Sequence, residues 1–118
     1  MHYRDAMVWN KAMALAERIC RTSTGLPAIE KFGIRAQITR AAVSVPSNIA
    51  EGWARESVRE KAQFLAIAQG SLAELHTQLL LCERLHWLDH EKNLEAHELI
   101  DEVSRMLTTL RRRFRSPA

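Results

Sequence analysis

Glu83-Arg84-Leu85-His86 has the Glu-x-x-His spacing that di-iron helical bundles use to hold metal. Such a centre needs two of these motifs and two further inward carboxylates. The other close pairs, Glu74 with His76 and Glu95 with His97, stand two apart, a spacing that puts side chains on different sides of a helix. His86 and His90 are four apart, but Leu88 and Asp89 interrupt the helix between them, and a third and fourth ligand for zinc are missing from the local pattern. The spacing therefore predicts no metal site. The chain also lacks a glycine-rich phosphate loop, a G-x-S-x-G elbow and an HExxH motif. No cofactor and no enzymatic activity are expected. Cys20 and Cys82 fall in apolar helical patterns without CxxC spacing, so they are expected to be reduced core thiols.

The remaining chemistry is electrostatic. Arg111, Arg112, Arg113 and Arg115 follow one another closely with no acid among them. Without these four, 13 of the 17 basic residues remain against 14 acidic ones, so the net charge of +3 is an arginine-rich end on a nearly neutral body. That end could neutralise phosphates and release counterions, giving salt-sensitive, sequence-blind affinity for RNA or DNA. Arg35, Arg40 and Lys31 could extend the footprint, as could Arg4, Lys11 and Arg18, which recur every seven residues along one stripe. A solvated helix face is the usual explanation of that stripe and phosphate tracking the minority one, while a cluster at a helix end can complement the dipole without binding anything. Tyr3 is the sole tyrosine and no RRM, KH or zinc-finger signature occurs, so base stacking is poorly supported. Asn48 and Glu51 are expected to serve neighbouring backbone or an arginine, with Arg40 and Arg55 as partners for Glu51.

Four amphipathic segments must carry these groups. The first helix is predicted from Asp5 to Thr22, with Trp9, Ala12, Ala16, Ile19 and Cys20 on its apolar face, widened by Met13 and Leu15. Gly25 is predicted to stop it, and Pro27 to open a short turn closed by Gly33. The second helix, Ile34 to Gly52, has an apolar stripe of Ile34, Ile38, Ala41, Val45 and Ile49 opposite small residues that include Ser44 and Ser47. Pro46 predicts a kink or a break near Val45, and Gly52 a left-handed cap. Ser57 with Glu60 reads as a capping box, opening a third helix to about Trp87. Its core stripe is Phe64, Leu65, Ala68, Leu72, Leu75, Leu79 and Cys82. A second stripe of Ile67, Leu81 and Leu85, with Gly70 and Gln78, lies beside it. Together they span about 200° against the ~100° that one core needs, which predicts self-association. Asp89 should cap a fourth helix with an a/d seam of Ala96, Ile100, Val103, Leu107, Leu110 and Phe114.

The run RAAVSVPSNIAEG, with Arg55, Ser57, Phe64, Leu65 and IAQGSLAEL, resembles the four-helix-bundle proteins encoded in intervening sequences of bacterial large-subunit ribosomal RNA genes. Val8-Trp9 and the segment Pro27 to Gly33 agree, so the resemblance spans about residues 3 to 88. It implies a ring-shaped homopentamer. It also implies kinship with an accessory protein of diversity-generating retroelements, which binds nucleic acid and a reverse transcriptase.

At 118 residues, 47% hydrophobic and 26% charged, the chain is expected to form one soluble domain over residues 1–118, with a flexible basic end at 111–118. No stretch approaches the ~20 apolar residues of a membrane span and no export signal opens the chain, so a cytoplasmic protein is expected. The expected fold is all-α, an antiparallel up-down-up-down four-helix bundle. The expected function is a homo-oligomer, a pentamer, that binds RNA or DNA or scaffolds a nucleic-acid enzyme such as a reverse transcriptase. Its subunit interface would use Ile67, Gly70, Leu81, Leu85, Ser44, Ser47 and Trp53. A pure protein-interaction module stays open as the alternative.

Overall fold

Apolar residues at helical spacing, with few glycines and prolines to interrupt them, give four long helices in the computed structural model, which describes residues 2–115. They are α1 (Met7–Thr22), α2 (Ile34–Ala54), α3 (Val58–Arg84) and α4 (Leu94–Arg115). Short 3₁₀ turns at Tyr3–Asp5, Ser23–Gly25, Ala28–Glu30 and Glu91–Asn93 lead into or join them. No strand occurs among the described residues. Each helix packs on two neighbours, in the cycle α1, α2, α3, α4 and back to α1.

Cross-helix contacts fix the directions. Gly52 lies against Phe64 near the α2–α3 turn, and Ser44 meets Ser71 farther from it. Gln69 meets Thr108 while Glu83 meets His97, so α3 and α4 are also opposed. Lys11 pairs with Glu102 and Arg18 with Glu95, which opposes α4 to α1. Antiparallel packing of α1 with α2 then follows. The core is the set of facing stripes: Val8, Ala12, Leu15 and Ile19; Ile38, Val45 and Ile49; Leu65, Leu72, Leu75 and Leu79; Ile100, Val103 and Leu107.

Several boundaries differ from the sequence expectation. α1 starts at Met7 rather than Asp5, because Tyr3–Asp5 forms a tighter turn and Asn10 Nδ2 donates to the carbonyls of Arg4 (2.9 Å) and Ala6 (3.0 Å). α2 runs unbroken through the buried Pro46. The missing proline donor costs on the order of 3 kcal/mol in a helix interior, and the core stripe on both sides of it offsets that. Gly52 is not a left-handed cap. It sits inside α2, where a Cβ would lie 3.2 Å from Phe64 Cβ and 3.3 Å from the Lys61 carbonyl. Its smallness serves close approach of α3.

α3 ends at Arg84, short of Trp87. His86 adopts φ 59°, a left-handed conformation. The His86 N–H bonds the Glu83 carbonyl and the Trp87 N–H bonds the Cys82 carbonyl, each at 3.0 Å. This is the Schellman pattern, built on a residue other than glycine. At the other end of α3, the Ser57 hydroxyl accepts the Glu60 N–H at 3.0 Å, as the capping-box spacing predicts. Asp89 acts slightly earlier than expected. Its Oδ1 accepts the Glu91 N–H at 3.0 Å, capping the turn that leads into α4.

Candidate functional site

The fold sorts the predicted cations into different situations. Lys11 is paired with Glu102 at 2.6 Å and Arg18 with Glu95, so both are committed to α4 carboxylates. Arg4, the third member of the Arg4/Lys11/Arg18 stripe, is bonded to His2 through Nε. Lys31 lies over the Phe32 ring, 5.6 Å from its centroid, and with Arg35 sits at the start of α2. The arginine run lies at the opposite end of the bundle, where α4 finishes, while Arg40 is exposed partway along α2. These groups therefore do not form one continuous patch.

Arg111, Arg112, Arg113 and Arg115 are helical residues of α4, and Ser116 to Ala118, expected to fray, lie outside the described residues. Arg111 is half-buried and donates from Nη1 to Gln69 Oε1 at 2.8 Å. Gln69 in turn donates to Thr108 Oγ1 at 2.9 Å. Arg111 is thus a tether between α4 and α3. Arg112, Arg113 and Arg115 are exposed. Arg113 borders a shallow apolar groove with Met7, Trp53, Met106 and Arg105, a basic residue that sequence reasoning passed over.

The second stripe of α3 stays uncovered. Ile67 is 45% exposed, Leu81 45% and Leu85 46%. A Cβ on Gly70 would meet no atom within 4 Å. Gln78, assigned to the same stripe, is instead buried against the bundle. Three other residues expected at the interface lie elsewhere on the bundle. Ser44 Oγ bonds Ser71 Oγ at 2.8 Å, joining α2 to α3 within the chain. Trp53 packs on the chain's own core. Ser47 lines a groove of about 710 Å³ between α1 and α2, with Trp9, Met13, Val43 and Pro46. The expected structural work of the α2 end is present. Asn48 Nδ2 donates to the Ser44 carbonyl at 2.8 Å, and Arg55 Nη2 to Glu51 Oε2 at 2.9 Å.

At the α3–α4 turn, the register assembles what spacing along one helix could not. Glu83 Oε1 lies 3.0 Å from His90 Nδ1, and Glu83 Oε2 lies 2.8 Å from His97 Nε2. The hydrogen bond and charge of Glu83 hold the His90 imidazole above its usual range. His76 and His97 meet edge to face, 5.7 Å between centroids. His97 stands fourteen residues from Glu83 and so falls outside the Glu83–His86 and His86–His90 spacings. The signal was there as a seven-residue repeat: His76, Glu83, His90, His97. Nearby, Cys82 is buried and its thiol is pushed up, first by burial, then by the charges of Glu83 and Glu30.

No helix among the described residues is long and apolar enough to cross a membrane. No curated protein matches the chain. A crystal structure of a protein of unknown function from the S23 ribosomal protein family of Bacteroides thetaiotaomicron is similar, with 25% identity and a TM-score of 0.81 over 88% of this chain and 97% of that one. The family described as 23S rRNA-intervening sequence protein matches residues 4–109, a span that takes in α1, α2, α3 and α4 as far as Thr109 and stops before the arginine run. With that match over most of the bundle, the chain belongs to the family of 23S rRNA-intervening sequence proteins.

Proposed function

We propose that this protein is a non-enzymatic homo-oligomeric bundle, a pentamer, that binds RNA or DNA through the arginine end of α4. Two features support the reading. Ile67, Leu81 and Leu85 leave apolar surface along α3 that the chain itself does not cover, and such stripes mark interfaces. The observation that carries the binding step is the exposed trio Arg112, Arg113 and Arg115 on the last helical turns, where a helix favours positive charge. Closed symmetry would repeat the trio once per subunit, and multivalency would strengthen individually weak phosphate contacts. Scaffolding of a nucleic-acid enzyme such as a reverse transcriptase is compatible with the same surface.

A gel-shift series at two salt concentrations tests the reading. Binding should weaken steeply with salt. The triple change Arg112→Ala, Arg113→Ala and Arg115→Ala should lower the magnitude of the log–log salt slope by up to about 3, the value for three lost phosphate contacts. Absence of binding even at low salt would favour the protein-interaction alternative, which the almost fully exposed Ile29 and Phe32 on the α1–α2 connection also fit.

A further inference from the structure

We infer that Glu83, His90 and His97 form a binding site for a divalent first-row transition cation, for which Zn²⁺ is the natural probe. The three donors come from three different places: the last turn of α3, the connection, and the first turn of α4. One ligand atom from each lies within 4.8 Å of the other two. Tetrahedral zinc with bonds of about 2.0–2.1 Å sets its ligands roughly 3.3 Å apart. The two carboxylate–imidazole distances, 3.0 and 2.8 Å, already lie near that spacing. The gap between the two ring nitrogens must close by at most about 1.5 Å.

The site has a rigid side and an adjustable side. The Glu83 side chain is 8% exposed and that of His97 is 17% exposed, each held on a packed helix. His90 is exposed in the connection, so it can move the remaining distance without disturbing the core. The His90 and His97 rings are tilted at 45° with centroids 4.7 Å apart, so the two rings already neighbour each other while each contacts one oxygen of the carboxylate. Two imidazoles and one carboxylate suit zinc and its neighbours in the transition series better than magnesium or calcium. His76 packs against the His97 ring and would help to orient it. Glu83 and His90 also line a cleft of about 710 Å³, through which water can reach a fourth position.

Bound metal would clasp the α3–α4 turn. A ligand that binds the folded chain alone stabilises it in proportion to the logarithm of its concentration over Kd. The alternative is a hydrogen-bonded Glu–His–His staple that takes no metal.

The full-length protein without a histidine tag is stripped with a chelator and titrated with Zn²⁺ by calorimetry, with thermal melts alongside. The expected result is one Zn²⁺ per chain and a rise in Tm that grows with Zn²⁺ concentration. His90→Gln and His97→Gln should each weaken binding by more than roughly tenfold, the loss that even an outer partner of a ligand produces. His90 lies in an exposed connection, so its variant keeps the fold, which far-UV circular dichroism verifies. His2→Gln, at the far end of the bundle, should bind as the parent does. Absence of stoichiometric Zn²⁺ binding by the parent overturns the site, as does binding that survives His90→Gln and His97→Gln unchanged.

Discussion

Replacing Gly52 by alanine sets two opposing effects against each other. In an exposed helix the change would stabilise by about 0.8–1.0 kcal/mol, through helix propensity alone. Here the added Cβ would lie 3.2 Å from Phe64 Cβ and 3.3 Å from the Lys61 carbonyl oxygen. Neither atom is the loose end of a side chain. One is backbone and the other is fixed directly to it, so relief requires α3 to move away from α2. Ser44 and Ser71, bonded across the same pair of helices, resist that motion. Overpacking of this kind costs about 1–3 kcal/mol. The net expectation is a loss of about 1 kcal/mol. For a 118-residue chain each kcal/mol corresponds to about 4 °C in Tm. Thermal and urea melts at one fixed protein concentration, which holds any assembly constant, would measure it. A Tm equal to or above that of the parent would refute the close-approach role of Gly52.

Ile67→Asp or Leu85→Asp should dissociate the proposed oligomer and leave helicity nearly intact, since both side chains are about half exposed within one chain. Light scattering with circular dichroism reads both quantities, and an unchanged mass would count against the α3 interface. Cys82 should resist iodoacetamide at pH 8 in the native protein and react once it is denatured, because burial raises its thiol and keeps the reactive thiolate scarce. Rapid native labelling at Cys82, located by peptide mass spectrometry, would contradict that burial. His86→Gly should stabilise by about 0.5–1 kcal/mol. The left-handed penalty of about 1–2 kcal/mol is removed, and part of it is returned by the greater freedom of glycine in the unfolded chain. A lower Tm for this variant would show that the His86 ring contributes more than its backbone angle costs.

The bundle was legible because its information is periodic. The stripe from Ala96 through Ile100 and Val103 to Leu107 is buried as its spacing implies, and the same logic located the α3 core. What the sequence hid was contextual. A left-handed stop at His86 has no marker when the usual glycine or asparagine is missing. Gly52 and Ser44 advertise smallness, but not whether the neighbour that exploits it belongs to the same chain. The cluster at Glu83 depends on how α3 and α4 align, and that alignment is a property of the packed pair rather than of either helix. Likewise, Lys11 and Arg18 read as free charge until α4 brings Glu102 and Glu95 alongside them.

Gln69 has a consequence for any encounter with a polyanion. By gripping Thr108 and Arg111 at once, its amide staples the final turns of α4 to the middle of the bundle. The guanidinium groups beyond it extend a helical turn tied to α3, which would lower the backbone ordering that contact with a polyanion requires. Cutting that staple with Gln69→Ala would leave the charge of the protein untouched while loosening its geometry.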